Sequence, residues 1–180
     1  MKKQLLRFVS GFIPALALFS QVNAQVAKAS FEFNLKEAIS TEALSYAAIN
    51  GETNTANVNT RALKDFTKSF KDAENVSWSA MKDGFLASFK ENGVETKAYY
   101  DQKGRWTATI RTYKEDKLPK DVRKQVKSTY YDYEISRVHE VELPLTPITY
   151  VVQLVGKKEL INLGVYDGET EVLQRFNKSK

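Results

Sequence analysis

The chain has 180 residues, with 27 lysines and arginines, 22 aspartates and glutamates, one histidine and no cysteine. Without cysteine there is no disulfide scaffold, thiolate zinc site, cysteine nucleophile or thiol to carry a lipoprotein's lipid. The formal charge of +5 overstates the basicity of the folded part, because Lys2, Lys3 and Arg7 fall in a leader that holds no acid.

That leader, residues 1–24, is the first predicted element. A basic start, the apolar run Phe8–Phe19 and the small side chains of Val22-Asn23-Ala24 form a secretory signal with cleavage after Ala24. A membrane span needs about 20 apolar residues, and Pro14, Ser20 and Gln21 crowd this run. The expected protein is therefore periplasmic or secreted, with no membrane span after cleavage. The remainder carries 24 basic and 22 acidic residues. That is too even a balance for the basic stripe that nucleic acid demands. Residues 25–56 read as a linker that can carry a loose helix, with Leu35, Ile39, Ala43 and Leu44 roughly on one side of Asn34–Ile49.

Order is predicted from residue 57. Asn59 or Thr60 caps a helix over Asn59–Ala73, whose apolar stripe is Ala62, Leu63, Phe66, Phe70 and Ala73. Four strands follow, at Asn75–Met81, Phe85–Glu91, Val94–Tyr100 and Arg105–Tyr113. Asn92-Gly93 signals a two-residue hairpin, because both positions tolerate positive φ. Asp101–Gly104 is a short polar turn. Residues 57–113 make a first unit.

Residues 114–180 are expected to repeat that order. A helix over Pro119–Tyr131 starts on a proline whose missing N–H costs little there. Strand patterns follow at Glu134–Leu143, Ile148–Val155, Glu159–Tyr166 and Glu171–Phe176, with Pro144 and Pro147 separating the first two. Tyr100-Asp101 and Tyr166-Asp167 occupy matching places before a turn. The expected fold class is α+β, two tandem units, each a helix plus a four-stranded antiparallel sheet. The second sheet is apolar on both faces: Val152, Leu154, Ile161 and Leu163 on one, Val151, Val155, Leu160, Val172 and Phe176 on the other.

The stretch "LKDFTKSFKDAENVSW", followed by "DGFLASFKENGVETKAYYDQKGRW", resembles the PepSY-like family of exported bacterial proteins, also described as similar to the beta-lactamase-inhibitor protein. The resemblance rests on the helix end, the Val-x-Trp strand and the Tyr-Asp-x-x-Gly turn, and covers about Val58 to Phe176. It implies an α+β fold, an extracytoplasmic location, a Bacteroidetes-type source and a role in binding or restraining other proteins. It implies no catalytic residue.

The residues themselves point the same way. His139 stands on a strand, where alternation sends it and Glu140 to opposite faces, so the pair makes no catalytic dyad. No Gly-x-Ser-x-Gly elbow, calcium loop or phosphate-cradling glycine loop occurs. No enzyme activity, cofactor or metal is expected. The candidate partner-binding residues are Lys97, Tyr99, Arg105 and Arg111. Period-2 alternation places the first two on one side of their strand and the last two on one side of the next, so all four are expected on one surface. The expected function is a non-catalytic binding module that contacts another exported protein or peptide, in an inhibitory role if the lineage holds. The alternative is a periplasmic carrier or sensor of a small apolar ligand, held between helix and sheet of the second unit.

Overall fold

The computed structural model describes residues 57–178. The leader, its cleavage point and the helix expected over Asn34–Ile49 lie outside them. In chain order the described elements are α1 (Thr60–Ser69), β1 (Ala73–Met81), β2 (Gly84–Glu91), β3 (Val94–Asp101), β4 (Trp106–Tyr113), a 3-10 turn (Glu115–Lys117), α2 (Lys120–Thr129), β5 (Glu134–Glu142), β6 (Thr149–Val155), β7 (Glu159–Tyr166) and β8 (Glu169–Asn177).

The strands form one eight-stranded antiparallel sheet in sequence order. This corrects the expectation of two tandem helix-plus-four-strand units. The overturning contact is β4 against β5, where Thr109–Tyr113 pair with Glu142–Val138. Those strands are separated in sequence by α2, so no hairpin signal advertises their pairing. Both strands have polar and apolar residues that read as well at a sheet edge as at its centre.

The hairpins follow local chemistry. Asn92-Gly93 and Asp167-Gly168 both have positive φ at both positions (52° and 74°, 47° and 78°), the signature of a type I′ turn. The Asn59 side chain caps α1 by accepting from the Arg61 N–H at 2.9 Å. Its amide also donates to the Gln102 carbonyl at 3.1 Å, so the helix start is tied to the β3–β4 turn. Both helices are shorter than their apolar patterns suggest. Each ends where an aromatic residue, Phe70 or Tyr130, turns the chain towards the next strand.

Two buried clusters lie on one face of the sheet. Val58, Ala62, Phe66 and Phe70 from the α1 side pack on Trp78, Ala87, Phe89, Ala98 and Tyr100. Phe66 touches Phe70, Trp78 and Phe89 with ring centroids 5.0–5.3 Å apart, a spacing typical of favourable aromatic pairs. Leu118, Val122 and Val126 from the α2 side pack on Ile135, Val138, Val152, Leu154, Ile161, Leu163 and Val165. Cross-strand partners share a face, and the ladder Ala98–Thr109–Glu142 and Tyr113–Val138–Val152 carries that face from one cluster to the other. Both helices therefore cover the same side.

The register shifts in four of the pairings, on β1, β4, β5 and β8, and the bulges on β4 and β8 overturn the expected faces. On β4, Tyr99 pairs with Ala108 but Tyr100 pairs with Trp106, leaving Thr107 as the extra residue. On β8, Leu163 pairs with Val172 but Asn162 pairs with Gln174, leaving Leu173 extra. Each bulge exchanges the faces of the residues beyond it. Unbroken alternation would set Ala108 and Ile110 beside Trp106; the bulge on β4 turns them away from α1. Val172, expected opposite Leu163, shares its face.

Candidate functional site

The four residues singled out in the sequence do not share one surface. Lys97 pairs with Ile110 and Tyr99 with Ala108, which places both on the face away from the helices. Arg111 pairs with Thr96 and Glu140, on the helix-bearing face. The bulge at Thr107 is the reason. Without it Arg111 would oppose Glu95, on the side of Lys97. The Thr107 hydroxyl donates to the Tyr99 carbonyl at 3.2 Å, which uses one backbone acceptor beside the break.

Arg105 belongs to neither face. It sits in the β3–β4 turn, its backbone N–H and side-chain Nε both donating to the Asp101 carboxylate at 2.9 and 2.6 Å. The N–H bond is the main reason that Asp101 is held below its ordinary pKa, with the Arg105 side chain adding to it and burial opposing it. A carboxylate with a depressed folded pKa stabilises the fold above its unfolded pKa and loses that contribution as pH falls through the folded value. Asp101→Asn is therefore expected to flatten the acid limb of stability below about pH 4, measured as melting midpoint against pH. An unchanged acid limb would remove the turn from that role.

Arg111 is the centre of a polar cluster between the two helices. Its Nη1 donates to Glu142 Oε2 at 2.8 Å and to Glu140 Oε1 at 3.2 Å. The Tyr113 hydroxyl donates to Glu140 Oε2 at 2.6 Å. Burial alone would lower the Arg111 pKa. The Glu142 hydrogen bond, with the charges of Glu142, Glu140 and Glu91, outweighs it and holds the guanidinium above its ordinary value. Burial and then the Glu140 hydrogen bond push the Tyr113 phenol well up. Tyr150 is raised by burial, then by the charges of Glu140 and Asp121. Side-chain hydrogen bonds thus join β4 to β5 beside the backbone ladder. Sequence reasoning missed Glu140, Glu142 and Tyr113 because the network depends on the β4–β5 ladder.

Next to it, Trp106 Nε1 donates to Thr109 Oγ1 at 2.9 Å. That satisfies one of three buried polar side chains, Thr96, Thr109 and Thr149. Tyr100 is the contrasting case. Its hydroxyl is buried with no partner in good hydrogen-bond geometry, and burial, then the charge and weak hydrogen bond of the nearby Asp65, push its pKa far up.

The helix-free face is mixed. Ser88, Lys97 and Tyr99 stand half-buried on it, while Leu86, Ile110, Val141 and Val151 are buried. Among the described residues, no helix packs there. His139 is on this face too, its Nδ1 lying 2.9 Å from Thr112 Oγ1, while Glu140 faces the helices. The pair is split as alternation requires. Among the described residues, no group of three or more His, Asp or Glu is placed to hold a metal, and no helix is long and apolar enough to cross a membrane.

No protein-family model matches the chain, and no curated protein matches it by sequence. The fold does recur among solved structures. A BLIP-like protein from Bacteroides fragilis superposes with a TM-score of 0.58 at 18% identity, over 71% of this chain and 92% of that one. A DUF2874 family protein from Bacteroides ovatus gives 0.57 at 21% identity, over 67% and 88%. A protein from Bacteroides eggerthii, described as provisionally periplasmic, gives 0.55 at 19%, over 67% and 88%. At these identities the likeness shows the fold, which is BLIP-like.

Proposed function

We propose that the chain is an exported, non-catalytic binding module of PepSY-like type, which contacts another extracytoplasmic protein or peptide through its sheet. The observation that carries this reading is the sheet face opposite α1 and α2, where half-buried Lys97 and Tyr99 stand among the buried Leu86, Ile110, Val141 and Val151. An aromatic ring with a polar tip and a cation at the rim of an apolar patch make a protein-docking chemistry. The BLIP-like fold supports it, as does the periplasmic description of one neighbour. The leader places the mature protein in the periplasm or outside the cell. Arg105 lies at the edge of this surface, and Arg111 serves the fold instead.

The carrier reading needs space between α2 and the sheet. Val126, Val138, Val152, Leu154 and Ile161 meet there at 0% exposure, so packed side chains take up that space. The binding reading is preferred for this reason.

The test pairs two variants. Tyr99→Ala should weaken a partner recovered from the native extracytoplasmic fraction by about 2 kcal/mol while the variant keeps a cooperative melting transition. Arg111→Ala should do the reverse, costing stability because Glu140 and Glu142 lose their shared cation. Unchanged affinity in Tyr99→Ala would return this face to a purely structural role.

A further inference from the structure

The loop between β5 and β6 holds the most exposed large apolar side chain among the described residues. Leu145 is 106% exposed, and Ile148 beside it is 40% exposed. Leu145 also has φ +60°, the left-handed region that L side chains avoid. Pro144 precedes it, giving the pattern of a type II turn in which proline takes the first central position and the second requires positive φ. Glycine or asparagine meets that requirement without strain. Leucine does not, and it gains no packing here in return.

We propose that Leu145 is a docking anchor, the side chain that enters a small apolar pocket on a partner protein. The proposal rests on the binding-module reading above and names a site that reading lacks. Single exposed leucines are ordinary on protein surfaces. A leucine held in a strained conformation at full exposure is a different case, because strain that serves no folding contact marks a functional position. Pro144 and Pro147 fix φ on both sides of the anchor. A side chain presented from a pre-ordered turn loses less freedom on binding than one on a loose loop.

The charge pattern selects a protein pocket over a lipid surface. The segment Glu142–Thr149 carries one acid and no base, whereas a bilayer-seeking loop is flanked by lysine or arginine that meets anionic headgroups. The loop also lies at the strand ends, next to Thr149 and Val141 of the helix-free face. A partner seated on that face can therefore receive Leu145 at its margin.

Three measurements on the full chain test the proposal. Leu145→Asn should keep or raise the melting midpoint, since asparagine tolerates the left-handed backbone and no packing is removed. A fall in the midpoint would show that the side chain serves the fold and would overturn the proposal. Leu145→p-benzoylphenylalanine, expressed in the source bacterium and irradiated, should form a discrete adduct with a different protein. Tyr131→p-benzoylphenylalanine, at a position 79% exposed, should not form that adduct. A cyclic peptide of Glu142–Thr149 in excess should abolish it, while the same peptide with Leu145→Asp should not. Finally, the identified protein should bind Leu145→Asp at least about 30-fold more weakly than the wild type. The same adducts at both positions, an adduct only with a second copy of this chain, or equal binding by Leu145→Asp would overturn it. If no adduct forms at 145 while Tyr99→Ala still loses a recovered partner, the anchor fails and the binding reading stands. If neither position responds, both fail.

Discussion

Phe66→Ala should destabilise the protein by about 4 kcal/mol and leave a single cooperative unfolding transition. Phe66 is 7% exposed and contacts three other rings in the α1 cluster. Truncation removes the transfer energy of a ring and leaves a cavity that neighbouring aromatics, held on a helix and two strands, cannot fill. Leu154→Ala, at 0% exposure in the other cluster, should cost about 3 kcal/mol. The number of transitions matters as much as the cost. Two independent helix-and-sheet units would let Phe66→Ala melt residues 57–113 alone, giving two steps. A sheet continuous through β4 and β5, with the Arg111–Glu140–Glu142 network across that ladder, should melt as one. Calorimetry decides, and a separated low-temperature transition in Phe66→Ala would show that the β4–β5 junction does not couple the two clusters.

Gly84→Ala should be the second severe substitution, costing about 3 kcal/mol or more. A Cβ at Gly84 would stand 1.9 Å from the Tyr100 carbonyl oxygen and 2.9 Å from the Asp101 Cα. Both are backbone atoms of β3, so neither can rotate away. Relief requires β3 to shift, which pulls on Tyr100 and its contact with Trp78 at 5.6 Å between centroids. Gly93→Ala is the control. Its φ is +74° and nothing lies within 4 Å of the added atom, so only the left-handed backbone cost of about 1 kcal/mol applies. Equal losses in chemical denaturation of the two variants would mean that backbone conformation, not the approach of β3, sets the requirement at Gly84.

How much of this was legible depended on the distance over which each signal acts. The Asn92-Gly93 and Asp167-Gly168 turns, the Asn59 cap and the apolar stripes Ala62-Phe66 and Val122-Val126 are local, and the structure contains each of them. The bounds of β7 were readable because Glu159–Tyr166 is a continuous apolar-rich run between turns. The β4–β5 pairing was not, because α2 intervenes and strand edges carry no letter that names their partner. Lys97 and Tyr99 were correctly placed together by alternation within one strand. Arg111 was misplaced because its side depends on Thr107, a residue with nothing in its type to mark a bulge. Glu140 and Glu142 could be found only once the ladder was known, and Leu145 only once its φ was.

The bulge at Thr107 also bears on how relatives of this chain should be aligned. Substitutions along β4 change one side chain each, but a gap opened one column too early or too late reassigns every residue from Ala108 to Tyr113 to the wrong side of the sheet. Ile110 would then be scored as a helix-facing core position and Arg111 as a surface one, the reverse of their places here. Among chains that share this fold at about one residue in five, the column holding the extra residue must be set by backbone superposition before any β4 position is compared.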